Sequence, residues 1–214
     1  MIAVQTIFIN SHFLIWNSAI KPLHARLVSL GTGISVAALA VILIYLGSIL
    51  NFSLPGTDIP QTAQTIAVLI IGSVLGAVVG TAAVVIYILT GVLGLPVFSD
   101  GGFGLDHLLG SSGGYLFGFA VAAGFIGFWT KIGYSRQFGL TLIGMLLGHL
   151  IILLLGWLWL TTTIGAVAAY SGGVAPFYVG ALAKSILAAL VVQLIRSYLY
   201  RKRAQSKSAE AREE

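Results

Sequence analysis

The amino-acid sequence predicts an all-α, polytopic membrane protein: a bundle of six transmembrane helices with both termini in the cytoplasm. Three observations predict this fold class. The 214 residues are 58% hydrophobic and only 8% charged, with a mean hydropathy of +1.02, whereas soluble domains carry about 25% charged residues. Uncharged segments repeatedly reach the roughly 20 residues that a spanning helix needs. Basic residues flank these segments, as topology determinants do.

The spans follow from the lengths of the apolar segments. The stretch 62–93 is uncharged and is too long for one span. We expect it to form two short or partly re-entrant helices that break near Gly76 or Gly80. The other spans are predicted at 27–50, 113–129, 138–160 and 178–200.

The distribution of charge supports six spans over five. With six, the loops 51–61, 94–112 and 161–177 share one side and contain no lysine or arginine. Five spans would move Lys131 and Arg136 to the opposite side from the other basic residues, against the positive-inside rule. With six, the cytoplasmic side holds Lys21, Arg26, Lys131, Arg136, Arg201, Lys202 and Arg203, and the outer side holds Asp58, Asp100 and Asp106.

Residues 27–200 therefore form one membrane domain between two end segments. Residues 1–26 contain an apolar patch too short to span, which predicts an interfacial helix. Residues 201–214 are predicted to be a solvated and frayed cytoplasmic tail whose basic start contacts lipid headgroups. The net charge of +5 is explained by residues at the membrane surface and indicates no nucleic-acid partner. The absence of cysteine excludes disulfides and thiolate catalysis.

The glycine-rich stretch 94–119 interrupts the apolar segments on the predicted outer side. Lipid-exposed irregular backbone is not tolerated in the bilayer core, because its polar groups would have no partners. This stretch is therefore predicted to face water or to line a ligand cavity. Tyr115 follows a glycine pair at the start of a predicted helix, where free N–H groups could meet a polar ligand.

Polar side chains within apolar spans are the other candidates for a ligand site. Lys184 lies about six residues into the last span, and intramembrane ionisable residues often mark functional sites. Snorkelling of Lys184 to the interface is the alternative. Gln64 can donate and accept hydrogen bonds, which suits an amide-like or ureido ligand, or it is simply part of a polar helix start. Asp106 and His107 are too few for a metal site, and no cofactor is predicted.

A serine-protease alternative comes from Gly110-Ser111-Ser112-Gly113, which fits the G-x-S-G motif of rhomboid-type intramembrane proteases. His149 would be the base. Helix geometry places Ser112 and His149 about 15 Å apart along the membrane normal, whereas a nucleophile and its base must lie about 3 Å apart. The sequence therefore indicates a protein that is not an enzyme. It also contains no P-loop, so the chain itself is not expected to hydrolyse ATP.

Two sequence blocks resemble the BioY family, the biotin-binding substrate subunits of energy-coupling-factor transporters. The first is P-x-T-x-Q-T-x-A-V-L at 60–69. The second runs from Y-x3-G-x2-G-L-P-V-F at 87–98 to G-G-Y-L-x-G-F at 113–119. The resemblance covers about residues 30–195. Weaker similarities are Gly156-x-x-Trp159 and the segment from Pro176-Phe177 to Lys184.

The resemblance implies a six-helix bundle that captures biotin from outside and lies in the cell membrane of a prokaryote or in that of a related organelle. It also implies a transmembrane coupling subunit and paired ATPases as partners. Lys184 would attract the biotin carboxylate or complete a polar network with the ureido group. Gln64 and Tyr115 would supply hydrogen bonds, and Phe98 and Trp159 would form apolar walls. The predicted substrate-binding set is Lys184, Gln64, Tyr115, Phe98, Trp159, Asp106 and Tyr178.

One position departs from the family pattern. The family usually has G-D-x-x-K where this chain has Gly180-Ala181-Leu182-Ala183-Lys184, so a carboxylate is replaced by Ala181. This leaves another small carboxylate vitamin, such as lipoate, as an alternative ligand. A non-transporting scaffold is a further alternative. Gly33 and Ala37 form a small-x3-small pair suited either to docking of a partner helix or to internal packing.

Overall fold

A computed structural model describes residues 30–52, 59, 61–132 and 137–213. The predicted interfacial segment 1–26 and the side chains of Asp58 and Arg136 lie outside this part. The described helices are α1 (Leu30–Ile49), α2 (Gln64–Leu75), α3 (Ala77–Val92), α4 (Gly104–Leu109), α5 (Gly113–Lys131), α6 (Phe138–Ile164), α7 (Ala166–Gly173) and α8 (Tyr178–Glu213). Strands β1 (Asn51–Phe52) and β2 (Gln61–Thr62) pair antiparallel, and 3-10 turns lie at Ser99–Gly101 and Ala175–Phe177.

Three described helical segments are long and apolar enough to cross a membrane. They are α5, α6 and the stretch from Ala166 to Ser206, which includes most of α8. Three shorter apolar helices, α1, α2 and α3, accompany them. The predicted class of helical membrane protein is therefore confirmed, because these apolar lengths are those that hydrocarbon requires.

The uncharged stretch 62–93 breaks into α2 and α3, as predicted. Gly76 separates the two helices with φ 83° and ψ 172°, a backbone conformation that favours glycine. The Gly76 N–H still bonds to the carbonyl of Gly72, at 3.0 Å, and so closes the last turn of α2. The backbone of α5 approaches the break so closely that a Cβ at Gly127 would lie 2.2 Å from the nitrogen of Ala77.

Helix α5 lies at the centre of the bundle and packs against α2, α3 and α6, while α8 packs against α6 and α2. Small residues permit these close approaches. A Cβ added at Gly72 in α2, for example, would lie 2.5 Å from the carbonyl oxygen of Ala123 in α5. Leu69, Ile126 and Ile152 are almost wholly buried in the resulting core.

Two stretches predicted as loops contain short helices. Helix α4 lies within 94–112 and α7 within 161–177. The alanine-rich α7 starts directly after Gly165, whose φ of 79° ends α6, and the Trp157 indole donates to the carbonyl of Ala166 at 3.1 Å. Helix α8 continues to Glu213 through the predicted tail 201–214, which is rich in the helix formers Ala, Arg, Lys and Glu.

Candidate ligand-binding site

A cavity lies where β2, the starts of α2 and α8, and parts of α5 and α6 meet the segment 98–112. The cavity and its mouth together contain about 630 Å³ of empty space, part of which is open to solvent. Its walls are mostly apolar, with a limited set of polar groups, as in many small-molecule sites. The polar lining residues are Thr62, Gln64, Thr65, Ser99, His107, Ser112, Tyr115, His149 and Lys184.

Lys184 brings a positive charge to this cavity. Its Nζ donates a hydrogen bond to the backbone carbonyl of Thr62 at 2.8 Å, which connects α8 to β2. An ammonium group has three N–H donors, so this contact leaves two for a ligand. No carboxylate occurs among the described residues that line the cavity. Lys184 therefore faces the cavity rather than snorkelling away from the bundle, and an anionic group would complement it.

Gln64 is a buried member of a hydrogen-bonded chain. Its Oε1 accepts from the Thr62 hydroxyl at 3.0 Å, and its Nε2 donates to the hydroxyl of Tyr87. Tyr87 in turn donates to the carbonyl of Val97 at 2.9 Å. One N–H and one lone pair of the Gln64 amide remain available. The chain connects β2 to α3 and to the segment that follows α3.

Tyr115 also lines the cavity and connects three helices. Its hydroxyl donates to the carbonyl of Gly173 in α7 at 2.6 Å. Its ring lies directly against Gly156 of α6, where an added Cβ would be 2.3 Å from the ring. The backbone N–H groups of Gly113 and Tyr115 bond to the carbonyls of Gly110 and Ser112. These two donors are thus not free for a ligand, contrary to the expectation for this helix start.

Phe98 forms an apolar wall of the cavity and is 1% exposed. Its ring meets the Tyr87 ring edge-on, with 5.8 Å between centroids. On another side it stacks with the His107 ring at 5.0 Å and 17°. These contacts hold α4 and the preceding 3-10 turn against α3.

Trp159, Asp106 and Tyr178, also predicted as ligand contacts, are not among the described lining residues. The Trp159 indole donates to the carbonyl of Gly110 at 2.9 Å, so it holds the segment before α5. Asp106 is exposed on α4, and the Tyr178 hydroxyl donates to that of Tyr170 at 3.0 Å. Their assignment as ligand contacts stays a prediction.

His149 lines the cavity and was not assigned to the ligand site from the sequence. Its Nε2 lies 3.0 Å from the Thr65 hydroxyl, and its Nδ1 lies 2.8 Å from that of Ser185. Ser112 lines the same cavity, but the described hydrogen-bond partners of the imidazole are Thr65, Ser185 and Met145. Among the described hydrogen bonds none joins Ser112 to His149, so the G-x-S-G serine is not paired with this imidazole. A lone histidine in an apolar span was the available signal.

His107 and Ser99 are further lining residues that sequence reasoning did not assign to the ligand site. His107 lies in α4, in the segment that joins the apolar helices α3 and α5. Partial burial lowers the pKa of His107 below its usual value, while the nearby carboxylate of Asp100 opposes this shift. This pKa shift favours the neutral form of the imidazole.

The sequence profile of the BioY family matches residues 22–201, which is most of the chain. This protein belongs to the BioY family. A similar protein, "Probable biotin transporter BioY" of Pyrococcus horikoshii, is 34% identical over 163 residues, or 76% of this chain and 95% of that protein. "Biotin transporter BioY" of Rhizobium etli is 32% identical over 164 residues, or 72% and 87%.

A solved structure supports the described fold independently. The S-component for biotin from an ECF-type ABC transporter matches with a TM-score of 0.70 at 24% identity, covering 78% of this chain and 91% of that chain. At this identity the match shows the fold alone. The described bundle therefore shares its fold with that S-component.

Proposed function

We propose that this BioY-family protein is the substrate-binding membrane subunit of a biotin uptake system. The main support for this proposal is the mostly apolar cavity, into which Lys184 brings a positive charge. No carboxylate occurs among the described lining residues of this cavity. Biotin combines a carboxylate, an apolar body and a neutral ureido ring, which this lining complements. The names of the similar proteins, which are biotin transporters, support the same ligand. The function is transport rather than catalysis.

In this proposal the side chains around the cavity have distinct roles. Lys184 pairs with the biotin carboxylate through the N–H groups that Thr62 leaves available. The remaining hydrogen-bonding capacity of Gln64 serves a polar group of the ligand, and Tyr115 and Phe98 form walls. Trp159 acts indirectly, because it holds the segment that borders the cavity.

In the proposed topology the chain crosses the cell membrane six times, and α1, α2 and α3 are the shorter spans. Both termini are cytoplasmic and the cavity opens to the outside. This orientation is supported by the lack of lysine and arginine in 94–112 and 161–177. Membrane lipid surrounds the bundle, and nucleic acid has no role.

Uptake against a gradient requires an energy source that this chain lacks, since it contains no P-loop. We therefore propose a transmembrane coupling subunit and paired ATPases as partners, in keeping with the ECF-type system of the solved S-component. The docking surface is proposed on α1, which includes Gly33 and Ala37. Ala37 is half-buried, while the surroundings of Gly33 lie outside the described side chains.

Calorimetric titration of the purified protein with biotin tests the proposed function. We expect one site with micromolar or tighter affinity, and much weaker binding of biotinamide, which lacks the carboxylate charge. Lipoate serves as a second control ligand with a carboxylate but no ureido ring. Failure of intact, folded protein to bind biotin would overturn the proposal.

Replacing Gly33 and Ala37 together with leucine should abolish co-purification with the coupling subunit, because larger side chains prevent close helix approach. Biotin binding by the isolated variant should persist, since α1 contributes no described residue to the cavity lining. Ala38→Leu, at an exposed position of the same helix, is the matched control. Unaltered complex formation by the double variant would contradict the docking assignment.

Replacing Ala181 with aspartate should weaken the preference for biotin over biotinamide by about tenfold. Residues three apart on a helix are neighbours, so the new carboxylate would pair with Lys184 and compete with the ligand. Ala181→Asn is the neutral control of equal size, and calorimetry with both ligands is the measurement. An unchanged or increased preference would show that the Lys184 charge does not serve the carboxylate.

A further inference from the structure

The side chain of His107, a residue that lines the cavity, carries a buried polar atom with no described hydrogen-bond partner. This atom is Nε2 of the imidazole ring. Buried polar atoms are rarely left unpaired, because each one forfeits its hydrogen bonds to water. An unpaired atom on a residue that lines a cavity therefore points to a ligand contact.

Contacts with two neighbouring residues fix the position of the His107 ring. The ring stacks on Phe98 at 5.0 Å between centroids. Its Nδ1–Cε1 edge lies so close to Gly102 that an added Cβ there would be 2.3 Å from Nδ1. Phe98 and Gly102 thus hold the ring by one face and one edge, and Nε2 is the ring nitrogen left for other contacts.

We propose that His107 is a specificity-determining residue whose Nε2 forms a hydrogen bond to the neutral ureido end of bound biotin. This inference rests on the proposed function and deepens it. The ligand would bridge two polar positions of one cavity: Lys184 on the helix bundle and His107 on the segment that covers it.

The charges near the two positions place the neutral end of the ligand at His107. Asp100, in the 3-10 turn directly after Phe98, interacts electrostatically with the imidazole. A ligand carboxylate at this position would meet a negative charge, whereas at Lys184 it would meet a positive one. An imidazole nitrogen can accept a hydrogen bond from a ureido N–H or donate one to its carbonyl, depending on the tautomer.

The test compares His107 variants by calorimetric titration with biotin and with biotinamide. His107→Phe keeps a ring against Phe98 but removes the nitrogen, and we expect about tenfold weaker binding of biotin. The same factor is expected with biotinamide, because the contact is to the other end of the ligand. His107→Gln restores an amide near the Nε2 position and should bind within about threefold of the wild type, whereas His107→Leu should behave like His107→Phe.

Leu105→Ala, an exposed position on the same short helix, controls for general disturbance of the segment and should bind biotin normally. Thermal unfolding identifies any variant that has lost its fold. If His107→Phe does not fold, the comparison of His107→Gln with His107→Leu tests the inference. Wild-type affinity in folded His107→Phe or His107→Leu would overturn the inference. The inference would also be overturned if these variants lost affinity for biotin but not for biotinamide, since His107 would then contact the carboxylate. If the wild type itself binds no biotin, the proposed function fails instead.

Discussion

Replacing Lys184 with methionine is expected to weaken biotin binding by about 100-fold or more. Removing one partner of a close charge pair typically costs several kcal/mol, and about 1.4 kcal/mol corresponds to a factor of ten. Methionine has a similar length but no charge, and no described lining residue offers a substitute lysine or arginine. The measurement is calorimetric titration of wild type and variant with biotin and with biotinamide.

The ratio between the two ligands separates the charge of Lys184 from its structural role. Lys184 also donates to the Thr62 carbonyl, so a purely structural defect would weaken both ligands equally. Loss of the preference for biotin would show that the charge serves the carboxylate. Lys131→Met, at the exposed end of α5, is the control and should bind normally. Retained preference in Lys184→Met would contradict the assignment.

Replacing Gly156 with alanine should strongly destabilise the site. The new Cβ would lie 2.3 Å from the Tyr115 ring, and Tyr115 is buried and hydrogen-bonded to Gly173. Overpacking typically costs about 1–3 kcal/mol, and a broken buried hydrogen bond costs about 1–3 kcal/mol more. We expect a lower unfolding temperature and at least about tenfold weaker biotin binding, measured by thermal unfolding and calorimetry.

Gly139→Ala is the matched control for this change, because it lies in the same helix α6 and an added Cβ meets nothing within 4 Å. Alanine favours the helix over glycine by up to about 1 kcal/mol, so this variant should be neutral or slightly more stable. Tyr115→Ala combined with Gly156→Ala should lose less stability than the sum of the single changes. If the losses of unfolding free energy of the two single changes simply add in the double variant, contact with Tyr115 is not the cause of the destabilisation by Gly156→Ala.

Much of the helical framework was predictable from local sequence properties. Apolar length predicted α1, α5, α6 and the start of α8, and the excessive length of 62–93 predicted a break that occurs at Gly76. The short helices α4 and α7 were missed because six to eight residues carry too little periodicity to be recognised. The continuation of α8 was missed because polar composition alone does not distinguish a solvated tail from an exposed helix.

The candidate site was predictable only in part. Lys184 and Gln64 were found because polar side chains in apolar spans are conspicuous. His149 has the same signature but was considered only as a catalytic base, and His107 only as a metal ligand. Trp159 was predicted as a wall, yet its indole bonds to Gly110. Which face of a helix a side chain occupies, and what it meets there, depends on packing against other helices.

The sequence by itself determined the membrane class, the order of the long helices and the family, because these depend on apolar length, on the placement of charge and on motifs read along the chain. Only the tertiary structure decided which polar groups meet. Lys184 contacts the Thr62 carbonyl across 122 positions of sequence, and His149 contacts Thr65 across 84. Such contacts arise from close helix approach at small residues, and no local pattern in the chain specifies them.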